Sequence, residues 1–384
     1  MSLQWIELDG RAAEHNLSEL RRGAGPGTRV CAVVKANAYG HGLAEMVRAL
    51  PSADWFGVQS LEEGLRLRRL GVEKPVVLLG YVSLADLGAA VEAGLRMTVY
   101  NRETVERLAA LPEGLPPARV HVKVETGTGR QGVLPGDLDG FFDLVARGSP
   151  RVVLDGISTH FANIEDTLNH GYAAAQRDRF AAAVEKMRRR FGTEPVAHAA
   201  CTAAAILFPN THFDMLRTGI GLYGLWPSRE TYLAARTAAS AAPSDGAAVL
   251  PDLRPVLSWK TRVVQIKELP EGSFVGYGCS YRCTRRTTVG ILPVGYSDGY
   301  DRALGNRAHV LVRGKRAPVI GRICMNLTIV DLTDVPAARL EDEAVLLGSS
   351  GDESISAEAM AEWAGTINYE TVSRIGSLVE RRIV

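Results

Sequence analysis

Eight short apolar runs, most of them separated by segments with helical spacing, constrain the fold of this chain more than any other feature. The runs are rich in Val and Ile and lie at residues 30–34, 55–58, 76–79, 97–99, 120–124, 152–157, 196–199 and 215–219. The helical segments lie at residues 43–50, 61–70, 84–93, 102–111, 138–146 and 172–191. Strands that alternate with helices form parallel sheets with right-handed crossovers. Eight such strands favour a closed (β/α)8 barrel over an open doubly wound sheet.

The pattern changes after the eighth run. Residues 229–252 are rich in Ala, Ser and Pro and lack strong periodicity, which predicts a helix-containing linker. Strand-like segments then follow at residues 259–266, 287–293, 309–312, 317–323, 328–332 and 344–347, with a hairpin connection at 312–317 and a helix near 357–364. We therefore predict an α/β barrel domain at residues 1–235 and a mostly β domain at residues 236–384, with its core at 252–384.

The charge balance argues against several classes of partner. The 44 Lys and Arg residues are matched by 43 Asp and Glu residues, and a net charge of +1 does not favour binding to nucleic acid or anionic lipid. No apolar stretch reaches the ~18 residues of a membrane span, and no signal peptide is evident, so a cytoplasmic location is expected. The five scattered cysteines fit reduced thiols and lack the spacing of a zinc site, so no metal is expected.

Reactive side chains follow several apolar runs, where the carboxyl ends of barrel strands converge on one face. Lys35 directly follows the run 30–34, where an ammonium group is costly to desolvate unless it is paired or neutralised. A lysine with a lowered pKa there is a candidate for Schiff-base chemistry, and a structural ion pair is the alternative. Gly219 and Gly221 follow the eighth run, where barrels often bind phosphate, although a tight turn also explains them. A Schiff-base lysine and a phosphate site on one rim are what pyridoxal phosphate (PLP) requires.

The segment Gly127-Thr-Gly129-Arg-Gln-Gly132 satisfies the pattern G-x-G-x-x-G and follows an apolar run. In a dinucleotide-binding fingerprint these glycines open directly into a helix, whereas Val-Leu-Pro-Gly intervenes here. The pattern is therefore not interpreted as a dinucleotide site.

The segment Ala32-Val-Val-Lys35-Ala-Asn-Ala-Tyr39-Gly-His-Gly is very similar to the PLP-attachment signature of the alanine racemases. Other segments resemble that family in the expected order; they are Trp5-Ile-Glu-Leu-Asp9, Lys123…Gly-Arg130-Gln-Gly, Ser158-Thr-His160-Phe, Arg217-Thr-Gly-Ile-Gly-Leu-Tyr-Gly, Val275-Gly-Tyr277-Gly, Gly295-Tyr-Ser-Asp-Gly-Tyr, Gly321-Arg-Ile-Cys-Met325 and Ile367-Asn-Tyr369-Glu. The resemblance spans nearly the whole chain, and the combination of motifs is highly specific.

The resemblance implies a (β/α)8 barrel and a β domain, assembled as a head-to-tail homodimer with shared active sites. Lys35 would hold PLP as a Schiff base, and Tyr277 of the partner subunit would face it across the cofactor. Racemisation removes a proton from one face of the α-carbon and returns one to the other, which two opposed acid–base groups accomplish. PLP delocalises the carbanion between the two transfers. The implied isomerase activity interconverts L- and D-alanine and supplies D-alanine for peptidoglycan.

The family's other site residues carry over onto individual positions. Arg217 would contact the pyridine nitrogen, which a guanidinium does not readily protonate, and His160 would brace Arg217. Arg130 would hydrogen-bond the Tyr277 hydroxyl and the substrate carboxylate, and the backbone of Met325 would also meet the substrate. The phosphate would be held by Tyr39, Thr202, Gly219, Ile220 and Tyr369.

Some positions differ from the family's common pattern or have an open chemical state. Asn326 stands where Asp usually follows Cys-Met, which puts the side-chain specificity in doubt. Thr202 stands where Ser is usual, so its hydroxyl suits phosphate but its methyl narrows the space. The stretch 124–129 differs from the usual Asp-Thr-Gly-Met-Gly. Lys123 matches a lysine that is carbamylated in many members, which would turn a cation into an anion beside Arg130.

Three alternatives follow from these features. Asn326 keeps open a racemase of broader specificity that acts on a polar amino acid such as serine. PLP-dependent decarboxylases of basic amino acids resemble this architecture, but they place an acidic residue at the pyridine nitrogen, where Arg217 stands here. A non-enzymatic PLP-binding protein of the single-barrel kind would lack the β domain expected after residue 257.

Overall fold

The computed structural model describes residues 2–241 and 250–384. By packing, the chain divides into two compact units. The barrel unit comprises Ala12–Ala36 and Val47–Arg254, and the β unit comprises Met1–Arg11, Asn37–Met46 and Pro255–Val384. This division differs from the predicted one because two N-terminal segments pack with the C-terminal part of the chain.

The strands, in chain order, are β1 (Gln4–Leu8), β2 (Arg29–Val33), β3 (Trp55–Val58), β4 (Val76–Leu78), β5 (Arg96–Val99), β6 (Ala118–Lys123), β7 (Val152–Ser158), β8 (Val196–His198), β9 (Met215–Thr218), β10 (Leu257–Arg262), β11 (Gln265–Leu269), β12 (Phe274–Val275), β13 (Tyr281–Arg282), β14 (Thr287–Leu292), β15 (His309–Val312), β16 (Lys315–Pro318), β17 (Thr328–Asp331), β18 (Glu343–Ser350), β19 (Glu353–Ile355) and β20 (Glu380–Ile383). The helices are α1 (Gly10–Ala24), α2 (Lys35–Tyr39), α3 (Leu43–Ala49), α4 (Leu61–Arg69), α5 (Leu87–Glu92), α6 (Arg102–Ala109), α7 (Leu138–Arg147), α8 (Gly171–Phe191), α9 (Thr202–Leu207), α10 (Arg229–Ala241), α11 (Ala357–Ala364) and α12 (Asn368–Ser373). Short 3-10 helices lie at Pro209–Thr211, Ile220–Tyr223, Tyr277–Cys279, Tyr296–Asp298 and Arg302–Leu304.

The barrel unit is built on eight parallel strands paired in the order β8-β7-β6-β5-β4-β3-β2-β9. The two ends of this sheet approach each other, since the backbone N–H of Asp214 donates to Ala197 O and that of Arg217 donates to Ala200 O, each at 2.9 Å. The barrel is therefore nearly closed. The predicted (β/α)8 barrel is confirmed, with all eight predicted strands in place.

The predicted helices of the barrel unit are present as well, the one expected at residues 84–93 being shortened to α5. Helix α1 was not predicted, and α10 forms the first half of the expected linker. The rest of that linker includes residues 242–249, which lie outside the described residues. Within the described ranges, no helix is both long and apolar enough to cross a membrane.

The barrel interior is filled by side chains from alternate positions of the strands. A buried cluster joins five strands through Cys31, Trp55, Val77, Val196 and Met215. Full burial of an aliphatic or thioether side chain of this size stabilises a fold by roughly 1.5–3 kcal/mol.

The β unit contains a seven-stranded sheet in the order β16-β15-β18-β10-β1-β20, with β19 paired to β18. Strand β1 lies between β10, which is antiparallel to it, and β20, which is parallel. A three-stranded sheet, β11-β14-β17, and a two-stranded sheet, β12-β13, complete the unit. The mostly β character is confirmed, whereas β1 was not predicted because its partners lie about 250 residues and more away along the chain.

Two predicted strands of the β unit need correction. The strand predicted at residues 259–266 is two strands, because the chain changes sheets there: Val263 N donates to Asp342 O, and Val264 N donates to Ile291 O. The strand predicted at 317–323 ends at Pro318, because the chain then turns from β15 towards β17: Val319 N donates to Ala308 O, and Ile320 N donates to Ile329 O in an isolated bridge. The predicted hairpin is confirmed, with Arg313 and Gly314 at positive φ in the turn between β15 and β16.

Candidate active site

Lys35 lies just beyond the carboxyl end of β2, after Val34, whose backbone N–H donates to Gly57 O at 2.8 Å. Burial lowers the pKa of the Lys35 ammonium, and the positive charges of Arg130 and Arg217 lower it further, against the opposing effect of Glu63. Only the neutral amine is a nucleophile, so each of these shifts favours covalent chemistry at Lys35.

The backbone directly after Lys35 is left-handed, with φ between 52° and 55° at residues 36–39. L-residues in this conformation cost about 1–2 kcal/mol each. In the β unit, Arg381 Nη2 donates to Gly40 O at 2.7 Å, and a Cβ on Gly40 would collide with Val372 O. Non-glycine residues held in this conformation cluster at functional sites, which agrees with the position of Lys35.

Lys35 shares the barrel rim with other predicted site residues of positive charge. Lys123 ends β6, and burial, together with the charges of Arg217, Arg130 and Lys35, lowers its pKa to about 7. Burial also lowers the pKa of His160 well below its usual value, and Arg217, Lys123, Arg130 and Lys35 act in the same direction. The structure therefore places Lys35, Lys123 and His160 close enough to Arg130 and Arg217 for the two guanidinium groups to lower their pKa values, and the resulting field favours anionic ligands.

The loop that carries Arg130 is organised by one carboxylate. Glu125 Oε1 accepts hydrogen bonds from the backbone N–H groups of Gly127 and Thr128, each at 2.6 Å, and Glu125 Oε2 accepts from that of Arg130 at 3.0 Å. Gly127 and Gly132 adopt φ values of 138° and 145°. The glycines of the G-x-G-x-x-G pattern therefore serve this turn, in agreement with its rejection as a dinucleotide site.

Arg217, in β9, is 7% exposed and makes four hydrogen bonds. Nη1 contacts His198 Nδ1 at 2.6 Å and His198 O at 2.7 Å. Nη2 donates to Thr159 O at 2.7 Å and to Ala199 O at 3.0 Å. In the part of the chain that the structure describes, no group accepts from Nε, which leaves the fifth N–H of the guanidinium for a ligand.

The histidine that contacts Arg217 is not the expected one. His160 was predicted to brace Arg217, but within the described ranges its ring makes no hydrogen bond to the guanidinium, and His198 makes that contact instead. The reason is position: His198 lies at the end of β8, which faces β9 across the seam of the barrel. A role for His160 in binding the cofactor stays a prediction.

Thr202 and the turn after β9 form a group of hydrogen-bond donors. The Thr202 hydroxyl accepts from the backbone N–H groups of Gly219 at 3.2 Å and Gly221 at 3.4 Å, so its own O–H is oriented to donate elsewhere. Ile220 begins the 3-10 helix that follows Gly219. A Cβ on Gly221 would lie 2.6 Å from Thr202 Cγ2, so the methyl that distinguishes Thr from the usual Ser occupies space left by a glycine.

The remaining predicted site residues lie in the β unit. Tyr277 is 71% exposed and Met325 is 57% exposed. Among the described residues, none accepts from or donates to the Tyr277 hydroxyl. Tyr39 and Tyr369 pack together, with ring centroids 6.2 Å apart.

Asn326 is part of a small polar group next to Met325. Its Nδ2 donates to Ser297 Oγ at 2.7 Å, and the Ser297 hydroxyl donates to Met325 O at 2.7 Å. The amide at this position therefore supports the backbone of Met325 through Ser297.

Two polar residues below the rim, the buried His121 and the partly buried Asp155, were not predicted. His121 contacts His198 through ring nitrogens 2.7 Å apart, and Asp155 lies beyond His121. The alternation Arg119-Val-His121-Val-Lys123 was the available signal, because it places polar side chains on the inward face of β6.

The described residues fit PLP. The partnerless Nε–H of the buried Arg217 suits a pyridine nitrogen, which only accepts hydrogen bonds. The hydroxyl of Thr202 and the backbone at Gly219 and Ile220 suit a phosphate. Lys35, with its lowered pKa, suits an aldehyde.

Models of two known domains match this chain. The alanine racemase N-terminal domain matches residues 8–227, and the alanine racemase C-terminal domain matches residues 256–383. An alanine racemase of Leptospira interrogans serovar copenhageni is 37% identical over 99% of this chain and 95% of that protein, and one of Symbiobacterium thermophilum is 39% identical over 98% and 96%.

Solved structures agree with these matches. The crystal structure of alanine racemase from Bacillus anthracis with bound L-Ala-P superposes with a TM-score of 0.90 at 31% identity, covering 100% of this chain and 95% of that one. The alanine racemase from Streptomyces coelicolor A3(2) gives a TM-score of 0.87 at 34% identity, covering 99% and 97%.

Proposed function

Because the chain belongs to the alanine racemase family, we propose that it interconverts L- and D-alanine with PLP as its cofactor. The observation that carries this proposal is the position of Lys35, which has a lowered pKa and lies at the carboxyl end of a barrel strand near Lys123, Arg130 and the buried Arg217. The Bacillus anthracis relative was crystallised with L-Ala-P, which supports alanine as the substrate.

Several residues of the barrel unit would hold PLP. Lys35 would bind its aldehyde carbon, Arg217 Nε would donate to the pyridine nitrogen, and the phosphate would accept from Thr202 and from the backbone at Gly219 and Ile220. When bound, PLP supplies an electron sink for the negative charge that develops at the substrate α-carbon. The family resemblance assigns phosphate contacts to Tyr39 and Tyr369 as well, and a place beside Arg217 to His160.

Two groups would move the proton. The amine of Lys35 would accept or donate a proton on one face of the α-carbon, and the hydroxyl of Tyr277 would do so on the other face. The proton that one group removes is replaced by a proton from the other, so the configuration inverts without net proton uptake. Arg130 would orient the substrate carboxylate by charge and hydrogen bonding, and the backbone of Met325 would also contact the substrate.

We propose that the protein is a homodimer whose active sites are shared between subunits, with Lys35 of one subunit facing the partner subunit's Tyr277. The exposure of Tyr277 and Met325 supports this arrangement, since both belong to a surface that a second copy would cover. A cytoplasmic location and the supply of D-alanine for peptidoglycan are further predictions from the family resemblance.

The test is to incubate purified, PLP-loaded protein with a panel of single amino-acid enantiomers and to separate the products by chiral chromatography. Interconversion of alanine in both directions is the expected result. Serine racemised as fast as alanine would favour the broader-specificity racemase, for which Asn326 and its bond to Ser297 are the structural reason. No racemisation of any amino acid by PLP-loaded protein would refute the proposal.

A further inference from the structure

A chain of polar side chains runs through the interior of the barrel and ends at Arg217. Arg217 Nη1 lies 2.6 Å from His198 Nδ1, and His198 Nε2 lies 2.7 Å from His121 Nδ1. His121 Nε2 faces Asp155 Oδ2 at 3.6 Å, which is longer than a hydrogen bond, and among the described residues it has no hydrogen-bond partner. His121 and His198 are completely buried. Arg217 is the proposed partner of the pyridine nitrogen, whereas His198, His121 and Asp155 have no part in the function proposed above.

The donors and acceptors in this series of side chains allow only one placement of the imidazole protons. A guanidinium only donates, so His198 Nδ1 carries no proton and His198 Nε2 carries one. That proton is donated to His121 Nδ1, which leaves the His121 proton on Nε2, facing the Asp155 carboxylate. Every N–H in this series therefore points from Arg217 towards Asp155, and the two hydrogen bonds, from Arg217 to His198 and from His198 to His121, strengthen each other.

Both imidazoles are neutral in this arrangement, as their surroundings require. Burial and the charge of Arg217 hold the pKa of His198 well below its usual value. Burial also lowers the pKa of His121, against the opposing effect of Asp155. The carboxylate of Asp155 is anchored in turn, since it accepts from Arg119 Nη1 at 2.6 Å and from Arg96 Nε at 3.1 Å.

Two local features of β7 make room for the chain. Val120 pairs with Leu154 and His121 pairs with Gly156, so Asp155 is the extra residue of a β-bulge between β6 and β7. A bulge changes the direction in which a side chain points, and at Asp155 it directs the carboxylate towards His121. At the next position, a Cβ on Gly156 would lie 2.5 Å from His121 Nδ1, so glycine is required for the ring to occupy its place.

Packing alone does not account for these residues. Barrel interiors are filled mainly by branched aliphatic side chains, and buried polar groups cost free energy unless every donor and acceptor is satisfied. This chain satisfies His198 completely and fixes which of its nitrogens accepts. The tautomer of His198 matters for Arg217. With the other tautomer, an N–H of His198 would face an N–H of the guanidinium, and the hydrogen bond between them would be lost.

We propose that His121 and Asp155 are positioning residues that, together with the contact from Arg217, fix the tautomer of His198 and so hold Arg217 in the orientation that leaves its Nε–H for the cofactor. The inference rests on the proposed function for the role of Arg217, but the tautomer itself is a property of the protein without PLP. If this holds, the residues that determine cofactor binding include His198, His121 and Asp155 in the interior of the barrel.

The first test is nitrogen NMR of the full-length protein without PLP, labelled with 15N-histidine. The wild-type spectrum is expected to show His198 with a bare Nδ1 and a protonated Nε2. His121→Leu removes the acceptor for Nε2–H and is expected to shift His198 towards the other tautomer or a mixture. His121→Asn is expected to retain the wild-type tautomer, since its amide oxygen can accept in place of Nδ1.

The second test uses PLP-loaded protein. His121→Leu is expected to weaken PLP binding and to lower kcat for alanine by roughly 10- to 100-fold, the range for one lost hydrogen bond of a charged group, with little change in KM. His121→Asn should restore most of the loss, and Asp155→Asn should give a smaller loss in the same direction. Thr104→Val, which removes a buried hydroxyl in helix α6, should change neither the NMR signals nor kcat.

The outcomes separate the two proposals. An unchanged His198 tautomer and unchanged PLP binding in His121→Leu would overturn the positioning role even if alanine is racemised. If His121→Leu does not fold, Asp155→Asn and His121→Asn decide the question by the same NMR signals. Failure of the wild-type protein to racemise any amino acid would refute the proposed function, while the tautomer measurement would still confirm or refute the positioning role.

Discussion

The two units differ in the burial and hydrogen bonding of their predicted site residues. In the barrel unit, Arg217 is buried and four of its five N–H groups are satisfied by the protein, and Lys35 and Lys123 have pKa values lowered by burial. In the β unit, Tyr277 and Met325 are largely exposed. Groups fixed by many hydrogen bonds need no rearrangement to bind a ligand, whereas exposed groups become ordered only when another surface covers them.

This contrast indicates which unit determines which part of the proposed chemistry. The barrel unit contains Lys35, which is the proposed covalent anchor, the proposed phosphate site, and a guanidinium whose Nε–H has no partner among the described residues, so we expect this unit to specify the cofactor. The β unit presents the Tyr277 hydroxyl and Met325 at its surface, so we expect it to contribute to the second proton transfer and to substrate contacts. Substitutions in the barrel unit should therefore impair cofactor binding, whereas substitutions in the β unit should impair proton transfer or substrate contacts.

The largest effect is expected from Lys35→Ala in the barrel unit. Racemisation should fall by at least roughly 10⁴-fold, because the change removes the cofactor's covalent anchor and one of the two acid–base groups. Initial rates by chiral chromatography and the visible absorbance of protein-bound PLP measure both losses. Lys186→Ala, which breaks only a surface ion pair with Asp139, is the matched control. Retained turnover in Lys35→Ala would exclude its covalent role.

A smaller effect is expected from Tyr277→Phe in the β unit. Racemisation should slow by roughly 10²–10⁴-fold, the contribution of a positioned general acid or base, while PLP stays bound. Because Lys35 still acts on its own face, one alanine enantiomer should continue to exchange its α-proton in D2O, as followed by NMR. Tyr281→Phe, four residues further on, is the control. Near-normal rates in both directions would mean that another group serves that face.

The charge state of Lys123 provides a pH-dependent prediction for the barrel unit. Only a neutral amine reacts with CO2, and the pKa of about 7 means that the neutral fraction of Lys123 rises as the pH increases through 7. We predict a carbamate signal in 13C NMR with labelled bicarbonate that grows from pH 6 to pH 8 and is absent in Lys123→Met. Lys74→Met is the control and should retain the signal. A signal that persists in Lys123→Met would show that the carbamate forms on another residue.

The smallest effect is expected from Asn326→Asp in the β unit. The change replaces a donor to Ser297 by an acceptor, so the Ser297 hydroxyl must choose between the new carboxylate and Met325 O. One exposed hydrogen bond contributes about 0.5–1.5 kcal/mol, so the ratio of kcat/KM for serine and alanine should change by up to about tenfold. No change in the ratio would show that Asn326 does not determine specificity.

Much of the barrel unit could be predicted from sequence because its signals are local. Each apolar run forms one strand, and Lys35 and Lys123 follow their strands directly. The contact between Arg217 and His198 could not be predicted in this way, since it depends on β8 and β9 meeting at the seam. Asp155 faces His121 only because of a bulge, and strand patterns carry no clear sign of one. Strand β1 pairs with partners at the far end of the chain, which local patterns also do not reveal.

We propose that the barrel unit of one subunit and the β unit of the other supply the two opposed acid–base groups, Lys35 and Tyr277. Co-expression of Lys35→Ala and Tyr277→Phe chains with different affinity tags allows the mixed dimer to be isolated. In that dimer one site carries both substitutions and the other carries neither, so we predict roughly half of the wild-type racemase activity per dimer. Activity no higher than that of the two single variants would contradict the claim, because it would mean that Lys35 and Tyr277 act within one chain.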